Sequence, residues 1–444
     1  MNECISAVAT APGTGGVAIV RLSGDNALEI ASKMFKPLSK ISVLDFEPYK
    51  LYVGEILGDD FTDNGMCVYF KAPKSFTGED VVELHCHGGV AITRGILNKT
   101  FELGARLATN GEFTKRAFLN GKLSLSSCEG LIDMINSESV TQIKSGFYLF
   151  KEGLKNKIAL IQSSLTDVLA QIDANIDYPE EGLIDENNDE IKQKLLKIQP
   201  ELKNMIDSYN SGKIIKNGVS VALVGKTNTG KSSLLNALVG EDKAIVTSVA
   251  GTTRDVVEAS LFIKGIKFNL FDTAGIRETD DLVEQIGIKR SNDLIDRADL
   301  ILFVTDKTEF DSQDKELFDK VQGKNVITVY NKSDLRSDEV TNENCVNISC
   351  KTGANVDKLT ALLFNLGAKN VNTDGEYITQ HRHHRALVEA FNSLNAAIFS
   401  IDSMPLDLVT VDIKDCWEKL GEITGTTASE EIVNEIFARF CVGK

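Results

Sequence analysis

The stretch VSVALVGKTNTGKSSLLNAL constrains this chain more than any other. A β-branched apolar run leads into Gly225-x-x-x-x-Gly230-Lys231-Ser232, and a helical pattern follows. Strand, glycine loop and helix in that order form the context a phosphate-binding P-loop requires. The glycines let backbone N–H groups face an anion at a helix N-terminus, where the helix dipole favours negative charge. Asn228, Thr229, Gly230, Lys231, Ser232 and Ser233 are the predicted phosphate contacts. Lys231 is expected on the β- and γ-phosphates, and the Ser232 hydroxyl on Mg²⁺.

Further motifs follow in order. Asp272-Thr273-Ala274-Gly275 ends a second apolar run, Asn331-Lys332-Ser333-Asp334 a third, and Ser349-Cys350-Lys351 comes after it. Asp334 selects the base. A carboxylate accepts from both the ring N–H and the exocyclic amine of guanine, whereas adenine would leave it unpaired; such a loss can discriminate by about 10⁴-fold. GTP is therefore the expected nucleotide. Between the first two motifs, Gly251-Thr252-Thr253-Arg254-Asp255 occupies the place of a switch loop, with Thr253 as a second hydroxyl for Mg²⁺, and the preceding Thr247, Ser248, Val249 and Ala250 are also expected at the nucleotide. Asp272 is expected to hold the Mg²⁺ shell, and Gly275 to sense the γ-phosphate through its backbone. Ile276 stands where related hydrolases carry a water-orienting glutamine. Another group must then place the nucleophile, and a cation must offset transition-state charge. Glu284 and Asn228 are the residues available for these tasks, although Glu284 also reads as an exposed helix residue.

Around this centre the chain is expected to be multidomain. Residues 1–120 alternate strand patterns (GGVAIVRLSG, MCVYFKAP, VVELHCHGG) with turns and one amphipathic helix, as in an α+β domain. Residues 121–214 and 369–444 read as helical, with long stretches such as SGFYLFKEGLKNKIALIQSSLTDVLAQIDANI. Residues 215–368 alternate strand and helix, giving an α/β P-loop domain inserted into the helical one. Within it, LFIKGIKFNLF reads as a hairpin turning near Lys264-Gly265. The acidic tract DYPEEGLIDENNDE lacks an EF-hand pattern and reads as a solvated turn.

With 42% hydrophobic and 25% charged residues the composition is that of a globular protein, and no apolar run approaches a membrane span. MNECISAVATAPGTGG is neither a signal nor a transit peptide, and eight cysteines without paired spacing fit a reducing compartment, so a cytoplasmic location is expected. A net charge of −16 argues against a general nucleic-acid binder but leaves room for a local basic patch.

Taken together, GGVAIVRLSG, SFTGEDVVELHCHGG, GEFTKRAFLNGKL, AIVTSVAGTTRD, DTAGIRETDDLVEQIGIKR and the terminal FCVGK resemble the bacterial tRNA modification GTPases of the MnmE (TrmE) family over essentially the whole chain. The resemblance implies a homodimer formed through an N-terminal domain that binds a tetrahydrofolate one-carbon donor, 5-formyl- or 5,10-methylene-tetrahydrofolate. It implies an FAD-dependent partner of the MnmG/GidA type, and addition of an aminomethyl or carboxymethylaminomethyl group to C5 of the tRNA wobble uridine. It also implies that potassium fills the role of an arginine finger. Asn228, Thr247, Val249 and Thr252 match the family's potassium loop, Glu284 its water-orienting glutamate, and Arg21, Glu83, Lys122 and Lys444 its folate positions. Lys226-Thr227 and Asn110 depart from its common Arg-Pro and proline, which bears on loop rigidity and removes no required side chain.

All five histidines fall in His85-Cys86-His87 and in HRHHR at 381–385. The first pair reads as packing or pocket lining in preference to a zinc site, and the second as a solvated basic helix start. Cys441, four residues from the end, fits a prenylation box poorly. It reads either as a reactive thiol for one-carbon chemistry or as a structural plug. A ribosome-assembly or signalling switch that leaves RNA covalently unchanged is the competing function.

Overall fold

The computed structural model describes residues 3–177, 184–240, 259–272, 293–336, 338, 340–371, 373 and 376–444, without the side chains of 177 and 184–187. The chain divides into two compact units: residues 1–135, 146–199 and 386–444 form one, and residues 136–145 and 200–385 the other.

In the first unit, strands β1 (Ile5–Val8), β2 (Gly15–Ser23), β3 (Phe35–Pro37), β4 (Leu51–Leu57), β5 (Thr62–Phe70), β6 (Val81–Gly88) and β7 (Arg106–Leu107) pair in the order 3-4-5-6-2-1-7. All neighbours are antiparallel except β1 and β7. Period-two alternation decides what each face carries. Val20, Leu22, Val82 and Leu84 pack under the helices Ala27–Met34 and Val90–Glu102 with Ile30, Met34 and Ile96. The intervening Arg21 and Glu83, paired across β2 and β6, are thereby turned to the other face. There Ile5 and Ala7 meet Phe113 of the helix Glu112–Leu119.

The helical part of this unit includes Leu125–Ile135, Gly153–Asp177, Leu406–Thr424 and Glu430–Ala438. The SGFYLF stretch is not continuous with the helix after it: the helix Val140–Phe150 ends, and Glu152 takes a left-handed φ of 62° before Gly153 starts the next. Of the acidic tract, residues 178–183 lie outside the described residues. From Ile184 onward it is helix, not turn, because Ile191, Leu195, Ile198 and Leu202 recur at helical spacing and are buried.

In the second unit, β8 (Val219–Val224), β9 (Ala259–Ile263), β10 (Ile266–Asp272), β11 (Leu300–Thr305), β12 (Val326–Tyr330) and β13 (Cys345–Asn347) form a sheet in the order 13-12-11-8-10-9. It is parallel except for β9, which pairs antiparallel with β10. The hairpin turns at Lys264 and Gly265, both at positive φ, as its sequence predicts. Central strands are buried on both faces. Val221 and Leu223 meet the helices Lys231–Val239 and Val356–Gly367, while Ala222, Val224 and Phe303 meet Leu317 and Phe318 of the helix Ser312–Asp319. The carboxyl ends of β8, β10 and β12 thus lie on one edge of the sheet, where ligands of parallel sheets bind.

Charge also fixes the first unit. Glu112 accepts from Arg106 through both carboxylate oxygens (2.6 and 2.8 Å), from Arg116 at 3.0 Å and from the Thr109 backbone at 2.9 Å. Burial alone would raise its pKa, but these donors outweigh it and carry the value down to about 2. A depressed carboxylate stabilises the fold above its unfolded pKa and loses that contribution as pH falls, here about 3 kcal/mol between roughly pH 5 and pH 2. Urea denaturation across this range should show Glu112→Gln less stable than wild type at pH 7, with the gap shrinking as the pH approaches 2.

Candidate functional site

After Val224 the chain turns through Gly225–Gly230 into the helix that starts at Lys231. Gly230 has φ 96°, and a Cβ there would lie 2.2 Å from Asn331 Nδ2, so only glycine fits. Asn228 takes a left-handed φ of 65°. The Lys231 ammonium donates to the carbonyls of Gly225 and Lys226, at 2.7 Å each, and is buried beneath the loop. That burial pulls its pKa down, with Asp272 pulling the other way. Thr229 is also buried and donates its hydroxyl to Lys226 O at 2.9 Å, so only its backbone is left for a ligand.

Asn331 joins the loops. Its amide donates to Thr229 O at 2.9 Å, and its Oδ1 accepts from the N–H groups of Lys332 (2.7 Å) and Cys350 (3.3 Å). Lys332 donates to Asn228 O at 3.0 Å and pairs with Asp306 at 2.7 Å. Asp334 accepts from the Ser349 hydroxyl at 2.6 Å, which, with Lys351 nearby, holds its carboxyl below the usual range. The Ser333 N–H is tied to Ile348 O. The result is a cavity of about 830 Å³ with Ser232 and Asp272 at one end and Asp334 and Lys351 at the other. Its volume and polar lining suit a nucleotide with the base at the Asp334 end. Thr247, Ser248, Val249, Ala250, Gly251, Thr252, Thr253, Thr273, Ala274, Gly275 and Glu284 lie outside the described residues.

A second polar locus occupies the first unit. Arg21 pairs with Glu83 at 2.8 Å, and His85 approaches the other Glu83 oxygen at 3.3 Å. Burial would push Glu83 up, but His85 and Arg21 bring it below its ordinary value. Phe76 and Phe113 flank the Arg21 guanidinium at 5.8 and 5.7 Å. Lys122 donates to Pro73 O at 3.0 Å, on the loop that also carries Phe76. The chain's end reaches the same sheet. Asn110 and Val442 form an antiparallel bridge, and the Gly111 N–H donates to Cys441 O at 3.3 Å. Gly443 has φ 98°, and a Cβ there would lie 2.2 Å from Val8 O; Val8 follows Ala7, the cross-strand partner of Arg21. Cys441 is exposed and Lys444 half-buried. His87 is taken by Asp63 at 2.6 Å, so the two histidines of this strand serve different carboxylates. Among the described residues no group of three His, Cys, Asp or Glu side chains forms a metal cluster.

Family models match most of the chain: a GTP-binding protein TrmE N-terminus over residues 4–122 and an MnmE helical domain over residues 125–441. The tRNA modification GTPase MnmE of Clostridioides difficile (strain 630) is 38% identical over 459 residues, covering all of both chains. That of Acetivibrio thermocellus is 39% identical, covering all of this chain and 99% of its own. The chain belongs to the MnmE family. As an MnmE-type protein it is a GTP hydrolase of tRNA modification. Among solved structures, a variant of Aquifex aeolicus Era bound to GDP·AlF4⁻ is 26% identical over 39% of this chain and 66% of its own, with a TM-score of 0.27. Among the described residues no helix is long and apolar enough to cross a membrane.

Several contacts of this MnmE-family site carry no sequence motif. Lys226 pairs with Asp311 and with Asp314 (2.8 Å), and the two aromatic rings beside Arg21 sit on separate segments. Only the capping-box spacing of Asp311 and Asp314 was open to a reader of the sequence. HRHHR differs from its expected solvated start: His383 is fully buried and His384 stacks on Tyr209 at 4.2 Å, because one side of that helix turns inward. For the base end of the cavity, Asp334→Asn should weaken GTP by about two to four orders of magnitude and admit xanthosine triphosphate, whose 2-carbonyl accepts where guanine donates. Competition binding with the two nucleotides measures the reversal.

Proposed function

We propose that this chain couples potassium-dependent GTP hydrolysis to one-carbon addition at C5 of the tRNA wobble uridine, working as a homodimer with an FAD-dependent MnmG/GidA-type protein in the cytoplasm. Residues 1–120 carry the folate site and dimer contact, 215–368 bind GTP, and 121–214 with 369–444 form the helical domain. The reading rests above all on the Arg21–Glu83 pair with the terminal Cys441–Lys444 segment docked beside it on the same sheet. A GTPase that acted only as a switch would have no use for that second polar locus.

In the nucleotide cavity, Asp334 reads guanine and the loop N–H groups from Asn228 to Ser233 hold the phosphates. Lys231 exchanges its two carbonyl partners for phosphate oxygens, a stronger charge-assisted contact. Ser232, Thr253 and the Asp272 shell fit Mg²⁺, which usually keeps phosphate and water ligands and needs no all-protein cage. Asn228, Thr247, Val249 and Thr252 are assigned to potassium, whose charge would offset that developing on the phosphates, and Glu284 to orienting the attacking water. Glu83 suits a pterin edge, which presents guanine-like donors, while Arg21, Lys122 and Lys444 suit the folate carboxylates. When bound, the folate supplies the one-carbon unit. Cys441 has its backbone carbonyl tied to Gly111 and its side chain open to solvent, which suits a delivered nucleophile.

Calorimetric titration with 5-formyltetrahydrofolate tests the reading. Wild type should bind, and Arg21→Ala should lose at least about tenfold in affinity, the scale of one charge-assisted contact. No binding by the wild-type protein would favour the switch function.

A further inference from the structure

Asn228 takes a left-handed φ of 65°, a conformation that asparagine tolerates better than other non-glycine residues and that its surroundings here hold in place. The hold comes from both sides of the turn. Behind it, Lys226 O accepts from Lys231 Nζ and from Thr229 Oγ1. Ahead of it, Asn228 O accepts from Lys332, itself paired with Asp306. These contacts fix the backbone at two carbonyls but leave the Lys226 side chain unaccounted for by nucleotide chemistry, since it does not line the cavity.

That side chain runs the other way, to Asp311 and Asp314 at the N-terminus of the helix Ser312–Asp319. Asp314 is 1% exposed, and its second oxygen, Oδ1, has no hydrogen-bond partner among the described residues. A carboxylate so buried cannot swing out to water, so its pairing with Lys226 is fixed in direction, and removing the cation would leave an uncompensated charge. Asp311 is held in turn by capping the helix through the N–H groups of Gln313 and Asp314. The pairing therefore ties the P-loop turn to a rigid element.

We propose that Lys226, clamped by Asp311 and Asp314, is a positioning residue that aims Asn228 at the monovalent cation of the hydrolysis step. The inference rests on the potassium assignment above. One residue, Thr227, separates the clamp from the amide it directs, and the acids that grip the turn, Asp306, Asp311 and Asp314, all come from the segment just after β11. No nucleotide-binding motif names that segment. A tilt of this turn would move the Asn228 side chain directly, whereas Lys231 keeps its second partner, Gly225 O, and Asp334 is held by Ser349 on another loop, so the cation should suffer before the nucleotide does.

Full-length protein with Lys226→Met, Lys226→Arg or Asp311→Asn, assayed for GTP hydrolysis over a potassium series, tests this. Lys226→Met should raise the potassium needed for half-maximal rate about tenfold, the order of loss a small misplacement of a catalytic contact causes. The affinity for Mg·GDP in potassium-free buffer should change little, whereas the melting temperature should fall, because Asp314 is left with an uncompensated buried charge. Lys226→Arg should restore most of the response, and Asp311→Asn should shift it less but in the same direction; if Lys226→Met does not fold, Asp311→Asn decides. A wild-type potassium response in Lys226→Met, or a loss of Mg·GDP affinity with the potassium response unchanged, overturns the proposal. If the wild-type protein itself is indifferent to potassium over sodium, it is the potassium assignment that has failed.

Discussion

The buried carboxamide of Asn331 is the contact on which the nucleotide site depends. One group donates to the P-loop at Thr229 and accepts from the loops that carry Lys332 and Cys350. The P-loop turn and the loops that carry Asp334 and Lys351 are thereby held at a fixed separation across the cavity. Because Asn331 is 2% exposed, each of these bonds is made away from water, where leaving a partner unsatisfied costs about 1–3 kcal/mol. It also explains Gly230: the amide occupies the place a side chain would need.

The first unit solves a similar problem with a sheet. Alternation along β2 and β6 sends Val20, Leu22 and Leu84 into the core and turns Arg21 and Glu83 to the opposite face. The end of the chain is held near them by close backbone approaches at two glycines. A Cβ at Gly443 would meet Val8 O, and one at Gly111 would lie 2.7 Å from Phe437 O. Phe437 and Phe440, packed with Leu125 and Cys128, anchor the approach. A tail that would fray in isolation is ordered because its last helix buries an apolar face next to the docking point.

Much of this was legible in the sequence. Strands β2, β5 and β6, the Lys264-Gly265 hairpin and the strand–loop–helix at Lys231 follow from periodicity and turn chemistry that act over a few residues. The break at Glu152 was not, since the left-handed φ falls on Glu152 itself and not on Gly153 beside it, so a single glycine at the head of an apolar-periodic stretch does not place the break. Nor were the burial of His383 and the Lys226 clamp, which join residues far apart in the chain and depend on which side of a helix turns inward. Arg21 and Glu83 could be marked only through family resemblance; on composition they are an ordinary pair of strand charges. Sequence thus discloses local backbone demands well, and the long-range pairing of charges poorly.

The central claim is that the two loci serve one modification reaction. Nucleoside mass spectrometry of tRNA tests it most directly, in strains that carry the protein, lack it, or carry Cys441→Ser at equal abundance. The account predicts that the C5-modified wobble uridine disappears without the protein. It predicts the same loss in Cys441→Ser, while the purified variant still hydrolyses GTP. Unchanged wobble uridines in a deletion strain with no second copy of the gene would contradict the account. Modification retained in Cys441→Ser alone would reduce the terminal thiol to a structural plug.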